Sequence, residues 1–83
     1  MTTDERVRRI VAEQLRVPVG GVTPEAHLID DLHADSLDVV DLTIAIEEEF
    51  SSDEVPLEIS EAAAAEMRTV QDILDFLRDQ GVG

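Results

Sequence analysis

The chain has 83 residues, of which 43% are apolar, with two phenylalanines and no tryptophan, tyrosine or cysteine. That length suits one domain with an aliphatic core, and the cysteine count excludes a disulfide scaffold, a thiolate zinc site and a cysteine nucleophile. Twenty acidic side chains against six arginines, with no lysine, give a net charge of −14, so nucleic acid and anionic membranes, which are held by cationic side chains, are poor partners. The acids and arginines of residues 1–16 and 68–83 cancel, and the whole excess lies between Val17 and Met67. There it is interleaved with Leu, Ile and Val, which indicates one strongly negative face of a folded protein rather than a disordered tail. No stretch approaches the ~20 apolar residues of a membrane span, and the acids of the first twenty residues do not fit a signal peptide. The expectation is a soluble, cytoplasmic, monomeric protein with one domain over residues 1–83.

A first helix is predicted to open at Thr2, because Thr2-Thr-Asp-Glu5 has the spacing of a capping box. Val7, Ile10, Val11 and Leu15 recur at helical spacing as one buried stripe. Pro18 and Gly20-Gly21 stop the helix by Arg16 or Val17. A long connection follows to Asp35, in which Thr23-Pro24 is expected to start one helical turn and Leu28, Ile29 and Leu32 to anchor the loop on the core. The second helix should start at Asp35 or Ser36 and run to about Phe50, with Asp35 capping and Asp38 three residues on. It carries two apolar stripes. Val39, Leu42, Ile46 and Phe50 are assigned to the core. Leu37, Val40 and Ile44 lie on another side, rotated toward Asp38, Asp41, Glu47 and Glu48. One small domain cannot readily bury both, so the second stripe is half exposed or walls a cavity. Ser51–Ile59 with Pro56 is expected to be irregular, and Ser60 to cap a short helix through Ala62–Ala65. Thr69-Val-Gln-Asp72 is a further capping-box start, followed by Val70, Ile73, Leu74 and Leu77 and stopped at Gly81. No segment alternates as a strand would. The fold class is all-α, a small four-helix bundle of three main helices and one short one.

Few residues suit catalysis. Ser36 with His33 and a nearby Asp lacks the flanks of a nucleophile elbow and any cationic or Gly-rich segment for an oxyanion, so an enzyme is not expected. Asp31, His33 and Asp35 alternate as in a calcium loop, but that motif then needs Gly and Glu where Ser36 and Leu42 stand. His27 and His33 read as ordinary loop residues, and no metal site is assigned. Ser36 has two readings. It can cap the second helix, or it can be modified, since a helix N-terminus stabilises a phosphate placed on a serine there. Asp35 and Asp38 oppose the phosphate unless a basic partner covers them. With no thiol of its own, a chain that carried activated acyl groups would need an added one. The shortage of large aromatics also suggests an expandable aliphatic pocket between the helices.

Asp35-Ser36-Leu37, preceded by Asp31-Leu32 and followed by Asp38-Val-Val-Asp-Leu42 and Ile46-Glu-Glu-Glu-Phe50, closely resembles the acyl carrier proteins of fatty acid and polyketide synthesis. The resemblance covers most of the chain, through the Pro56 turn to the Thr69-Val-Gln-Asp-Ile-Leu helix. It implies a non-catalytic carrier bearing covalent 4′-phosphopantetheine on Ser36, attached by a phosphopantetheinyl transferase, with acyl groups held as thioesters. It also implies an acidic recognition surface of Asp35, Asp38, Asp41, Glu47 and Glu48 around an apolar centre of Leu37, Val40 and Ile44. The partners it implies are acyl-transferring and chain-elongating synthase enzymes with basic docking patches, met by weak, electrostatically steered encounters. The chain departs from the family pattern in residues 51–69, which are longer and Ala-rich, and at His33, where glycine is common. The alternatives are a peptidyl or aminoacyl carrier, and an acidic interaction module such as a nucleic-acid mimic.

Overall fold

Each helix begins at a side-chain cap. The computed structural model describes residues 2–51 and 56–81. In α1 (Thr3–Leu15) the Thr2 hydroxyl accepts from the Glu5 amide at 3.1 Å. Val7 and Val11 are fully buried, while Ile10 and Leu15 pack at the edge of the core. The helix ends on Arg16, held in the left-handed region at φ 57° and ψ 44°. The Val17 amide reaches back to Ala12 O at 3.0 Å, a Schellman-type closure with an arginine where glycine would carry no Cβ penalty.

The connection to the second helix is built differently from the sequence expectation. A three-residue 3-10 turn takes Val19–Gly21. Thr23-Pro24 starts no helix; it makes one β-turn, closed by the Ala26 amide on Thr23 O at 3.0 Å. Next, His27 and Thr69 form an isolated antiparallel bridge. The reason lies at the far partner. The first amides of a helix lack acceptors within it, and those of Val70 and Gln71, which open the last helix, find Ala26 O at 3.2 Å and Pro24 O at 2.9 Å. The loop thus caps a helix distant in sequence. Leu28 and Leu32 are buried as expected, but Ile29 is 58% exposed. Leu28 and Leu32 already fill the inner side of this turn, so the intervening side chain is turned to solvent.

The second helix, α2 (Ser36–Phe50), runs antiparallel to α1. At one end Arg6 bonds the Glu49 carboxylate at 2.6 Å and lies 4.5 Å from the Phe50 ring centre. At the other end Leu15 and Arg16 share a cleft with Asp38 and Asp41. Leu42 and Ile46 are buried, with Val39 and Phe50 at the core's edge. After the helix, Ser51 Oγ accepts from the Leu57 amide at 2.8 Å. Irregular backbone holds at Ser51 and residues 56–59; residues 52–55 of the expected Pro56 segment lie outside those described. Ser60 then caps α3 (Glu61–Glu66), and Thr69 with Asp72 forms a complete capping box on α4 (Val70–Asp79), which stops before Gly81 at φ 79°. The helices, without a strand among the described residues, make the expected small all-α bundle. Its fully buried side chains are all aliphatic, from Val7, Val11, Leu42 and Ile46 to Val70, Ile73 and Leu77.

Asp72 joins loop and helix. Partial burial raises its carboxyl pKa, but bonds from the Thr69 and Arg68 amides, the Thr69 hydroxyl and the nearby Arg68 charge outweigh this and hold it below its ordinary 3.8. A carboxyl lowered on folding stabilises the native state above its unfolded pKa and loses that contribution as pH falls through the folded value. Asp72→Ala leaves two amides without their acceptor and should cost about 1 kcal/mol near neutral pH. In urea titrations of the two proteins, this difference should hold down to about pH 4 and shrink below it.

Candidate functional site

The start of α2 is held by two carboxylates. Asp35, in extended geometry, accepts from the Asp38 amide at 2.8 Å, and Asp38 accepts from the Asp35 amide at 3.0 Å. In this reciprocal pair Asp35 is the cap and Ser36 is the first residue of the helix, so Ser36 does not serve as the cap. The serine is exposed, and its hydroxyl is not needed to hold the helix start. Of the first-turn amides, Asp38 is taken by the cap, which leaves those of Ser36 and Leu37 facing outward at the positive end of the helix dipole. An exposed primary hydroxyl beside two open amides can be esterified by a phosphate whose oxygens those amides then meet.

The turn before Ser36 is equally specified. Asp31 accepts from the His27 amide at 2.8 Å, Leu32 N binds His27 O at 3.0 Å, and Ala34 N binds Leu28 O at 2.8 Å. His33 lies at φ 60°, a conformation that suits glycine and carries a Cβ penalty in other residues. The departure at His33 therefore falls where the backbone needs a left-handed residue. Asp31, Asp35 and Asp38 are all occupied with backbone amides, and among the described residues no group of three or more His, Asp or Glu could hold a metal ion.

Around α2 the structure separates the two apolar stripes. Leu37, Val40 and Ile44 are 74%, 51% and 48% exposed. Asp35, Asp41 and Glu48 are exposed beside them, and Asp38 and Glu47 are half-buried. All eight residues predicted to flank Ser36 as a recognition surface thus lie on α2 or its cap, clear of the buried face formed by Leu42, Thr43 and Ile46.

Ser36 also opens onto a groove of about 600 Å³ between α2, α3 and the loop. Its apolar wall is Ile29, Val39, Val40, Ala64, Ala65 and Met67, and its polar lining is Ser36, His27, Asp30, Glu61 and Arg68. The sequence reading missed Ile29, Met67, His27 and Arg68 here. A signal was present in the Ala62–Ala65 run, whose short side chains leave space between α3 and α2. Between the main helices the facing side chains, among them Val7, Val11, Leu42, Ile46, Ile73 and Leu77, are fully buried. A separate depression of about 530 Å³ along α1, lined by Glu5, Arg8, Arg9 and Glu13 among others, shares no residue with the groove.

Comparison with known proteins agrees with this geometry. Residues 5–77 match the family described as "Phosphopantetheine attachment site". Over 76 residues the chain is 47% identical to the acyl carrier protein of Thermosynechococcus vestitus, an alignment covering 92% of this chain and 88% of that one.

The division of labour at the helix start is measurable. Ser36→Ala should change stability by less than about 0.5 kcal/mol, the usual range for an exposed position without a structural task. Asp35→Ala should cost about 1 kcal/mol through loss of the cap. Chemical denaturation of both variants checks this; an equal cost would mean that the hydroxyl has a structural task after all.

Proposed function

The chain belongs to the phosphopantetheine-attachment family, the acyl carriers, and from that premise we propose that Ser36 is the residue to which its arm is joined. The family carries acyl groups on covalent 4′-phosphopantetheine and is not catalytic; it works with a phosphopantetheinyl transferase and with synthase enzymes. The bound arm supplies a terminal thiol, the group that this cysteine-free chain lacks. The observation that carries the assignment to Ser36 is its exposed hydroxyl at the first position of α2, released from capping by Asp35 and Asp38.

Loading balances as a phosphoryl transfer. The Ser36 oxygen forms a bond to the β-phosphorus of coenzyme A, the phosphoanhydride bond breaks, 3′,5′-ADP leaves, and the hydroxyl proton passes to a base on the transferase. The Ser36 and Leu37 amides and the helix dipole stabilise the new phosphodiester. Asp35 and Asp38 oppose it: two unit charges about 6 Å apart in water repel by roughly 0.7 kcal/mol. A basic enzyme surface that covers these acids removes that repulsion during transfer.

The exposed side of α2 is the docking face in this reading. Leu37, Val40 and Ile44 form its apolar centre, and Asp35, Asp38, Asp41, Glu47 and Glu48 its acidic rim. Such a rim speeds encounter with basic patches more than it tightens binding, which suits a carrier that must leave each enzyme. The groove beside Ser36 shelters the near part of the arm and its cargo against Ile29, Val39, Val40, Ala64 and Ala65. The dense acids favour fatty acyl or polyketide cargo over amino acids, and mass spectrometry of the protein from its native host distinguishes them. Among the described residues no helix is long and apolar enough to cross a membrane. We take the carrier to be cytoplasmic and monomeric, with the charge of −14 opposing self-association.

Incubation with coenzyme A and a broad-specificity phosphopantetheinyl transferase should add the mass of one arm to the wild type and none to Ser36→Ala. An arm on the alanine variant would place the attachment elsewhere. Reversal of the rim with Asp41→Lys and Glu48→Lys should lower the loading kcat/KM by about tenfold or more at low salt, and the loss should narrow as salt is raised. Loading rates indifferent to both reversal and salt would remove the docking role of this face.

A further inference from the structure

The polar side chains of the groove are not all accounted for by attachment and docking. Arg68 is the one arginine between Arg16 and Arg78, in a chain that has no lysine. Its backbone is pinned on both sides: its carbonyl accepts from the Leu28 amide at 2.9 Å, and its amide donates to Asp72 at 3.0 Å. The side chain takes no part in those bonds. It is exposed and lines the same groove as Ser36. Among the described residues the ion pairs within 4 Å are Arg6–Glu49 and Arg8–Asp4, so the guanidinium makes no such pair there, although its charge is felt by Asp72 from further away. A guanidinium presents a planar fork of donors that matches an oxyanion, and its root is fixed here by two backbone bonds.

We propose that Arg68 is the anion-binding residue of the groove and pairs with an anionic oxygen group carried on the Ser36 arm. This rests on the attachment of the arm at Ser36. Two sources share the chemistry: the phosphodiester of the arm itself, and a carboxylate on a dicarboxylic acyl group. In either case Arg68 offsets the repulsion from Asp30, Asp35, Asp38 and Glu61 and draws the arm along the apolar wall instead of leaving it in solvent. Arg68 acts as a positioning and selecting residue.

The test uses wild type, Arg68→Gln and Arg68→Lys, each as apo protein and loaded from coenzyme A, acetyl-coenzyme A and malonyl-coenzyme A. Intact mass is read first, so failure of attachment at Ser36 appears as missing mass and is not confused with failure of this proposal. Thermal midpoints are then taken relative to each variant's own apo form, which removes any effect of the substitution on the fold itself. The wild-type gain should exceed that of Arg68→Gln by about 4 °C or more. The difference should shrink in 0.5 M salt, and Arg68→Lys should restore part of it. A loss in Arg68→Gln shared by all three loaded forms identifies the phosphodiester; a loss confined to the malonyl form identifies the carboxylate. Equal gains in wild type and Arg68→Gln for every loaded form would overturn the proposal.

Discussion

Two hydrogen bonds at the start of α2 govern what the molecule can present. Asp35 and Asp38 each accept the other's amide, at 2.8 and 3.0 Å, and a capping interaction of this kind is worth about 1 kcal/mol. A serine at the first helical position would otherwise compete for the same amides, as serines at helix starts commonly do. Because the flanking carboxylates make the bonds, Ser36 keeps its hydroxyl exposed at a fixed point beside open amides. The same acids stand on the rim of the exposed face. In the proposed reading, structure and recognition draw on one set of side chains, and the proposed phosphate site has carboxylates close by.

The asymmetry of charge follows a similar economy. Two arginines of α1 serve the fold: Arg6 ties the N-terminal end of α1 to the C-terminal end of α2 through Glu49 and the Phe50 ring, and Arg8 donates to Val22 O at 2.9 Å. The acids beyond Val17 have few cations near enough to neutralise them, so the field around α2 stays negative. Burial of the Leu42 and Ile46 face in the core against α1 leaves Leu37, Val40 and Ile44 outside, in the middle of that field. An apolar strip with a charged rim suits brief contact with basic surfaces, since steering raises the encounter rate while the small apolar area limits residence.

The loop between α1 and α2 connects these features. It lends Ala26 and Pro24 carbonyls to the first amides of α4, donates the Leu28 amide to Arg68 O, and turns through a left-handed His33 to deliver Asp35. Those bonds place Ile29 and Arg68, distant in sequence, on the lining of one groove with Ser36. The short side chains of Ala64 and Ala65 keep its other wall low.

Helix starts, helix stops and the buried stripes were legible in the residues themselves, because capping and 3.6-residue periodicity are local: Thr2, Asp35, Ser60 and Thr69 each cap where their spacing indicates. The resemblance carried by Asp35-Ser36-Leu37 and its flanks was legible for the same reason. Tertiary structure decided what depends on distant partners. The outward turn of Ile29, the replacement of a helical turn at Thr23-Pro24 by a β-turn, and the meeting of Arg68 with Ser36 in one groove all follow from bonds between the loop and the start of α4. No periodicity in either segment encodes them, since an amide that lacks an acceptor in its own helix takes one from whichever segment the packed core brings within reach.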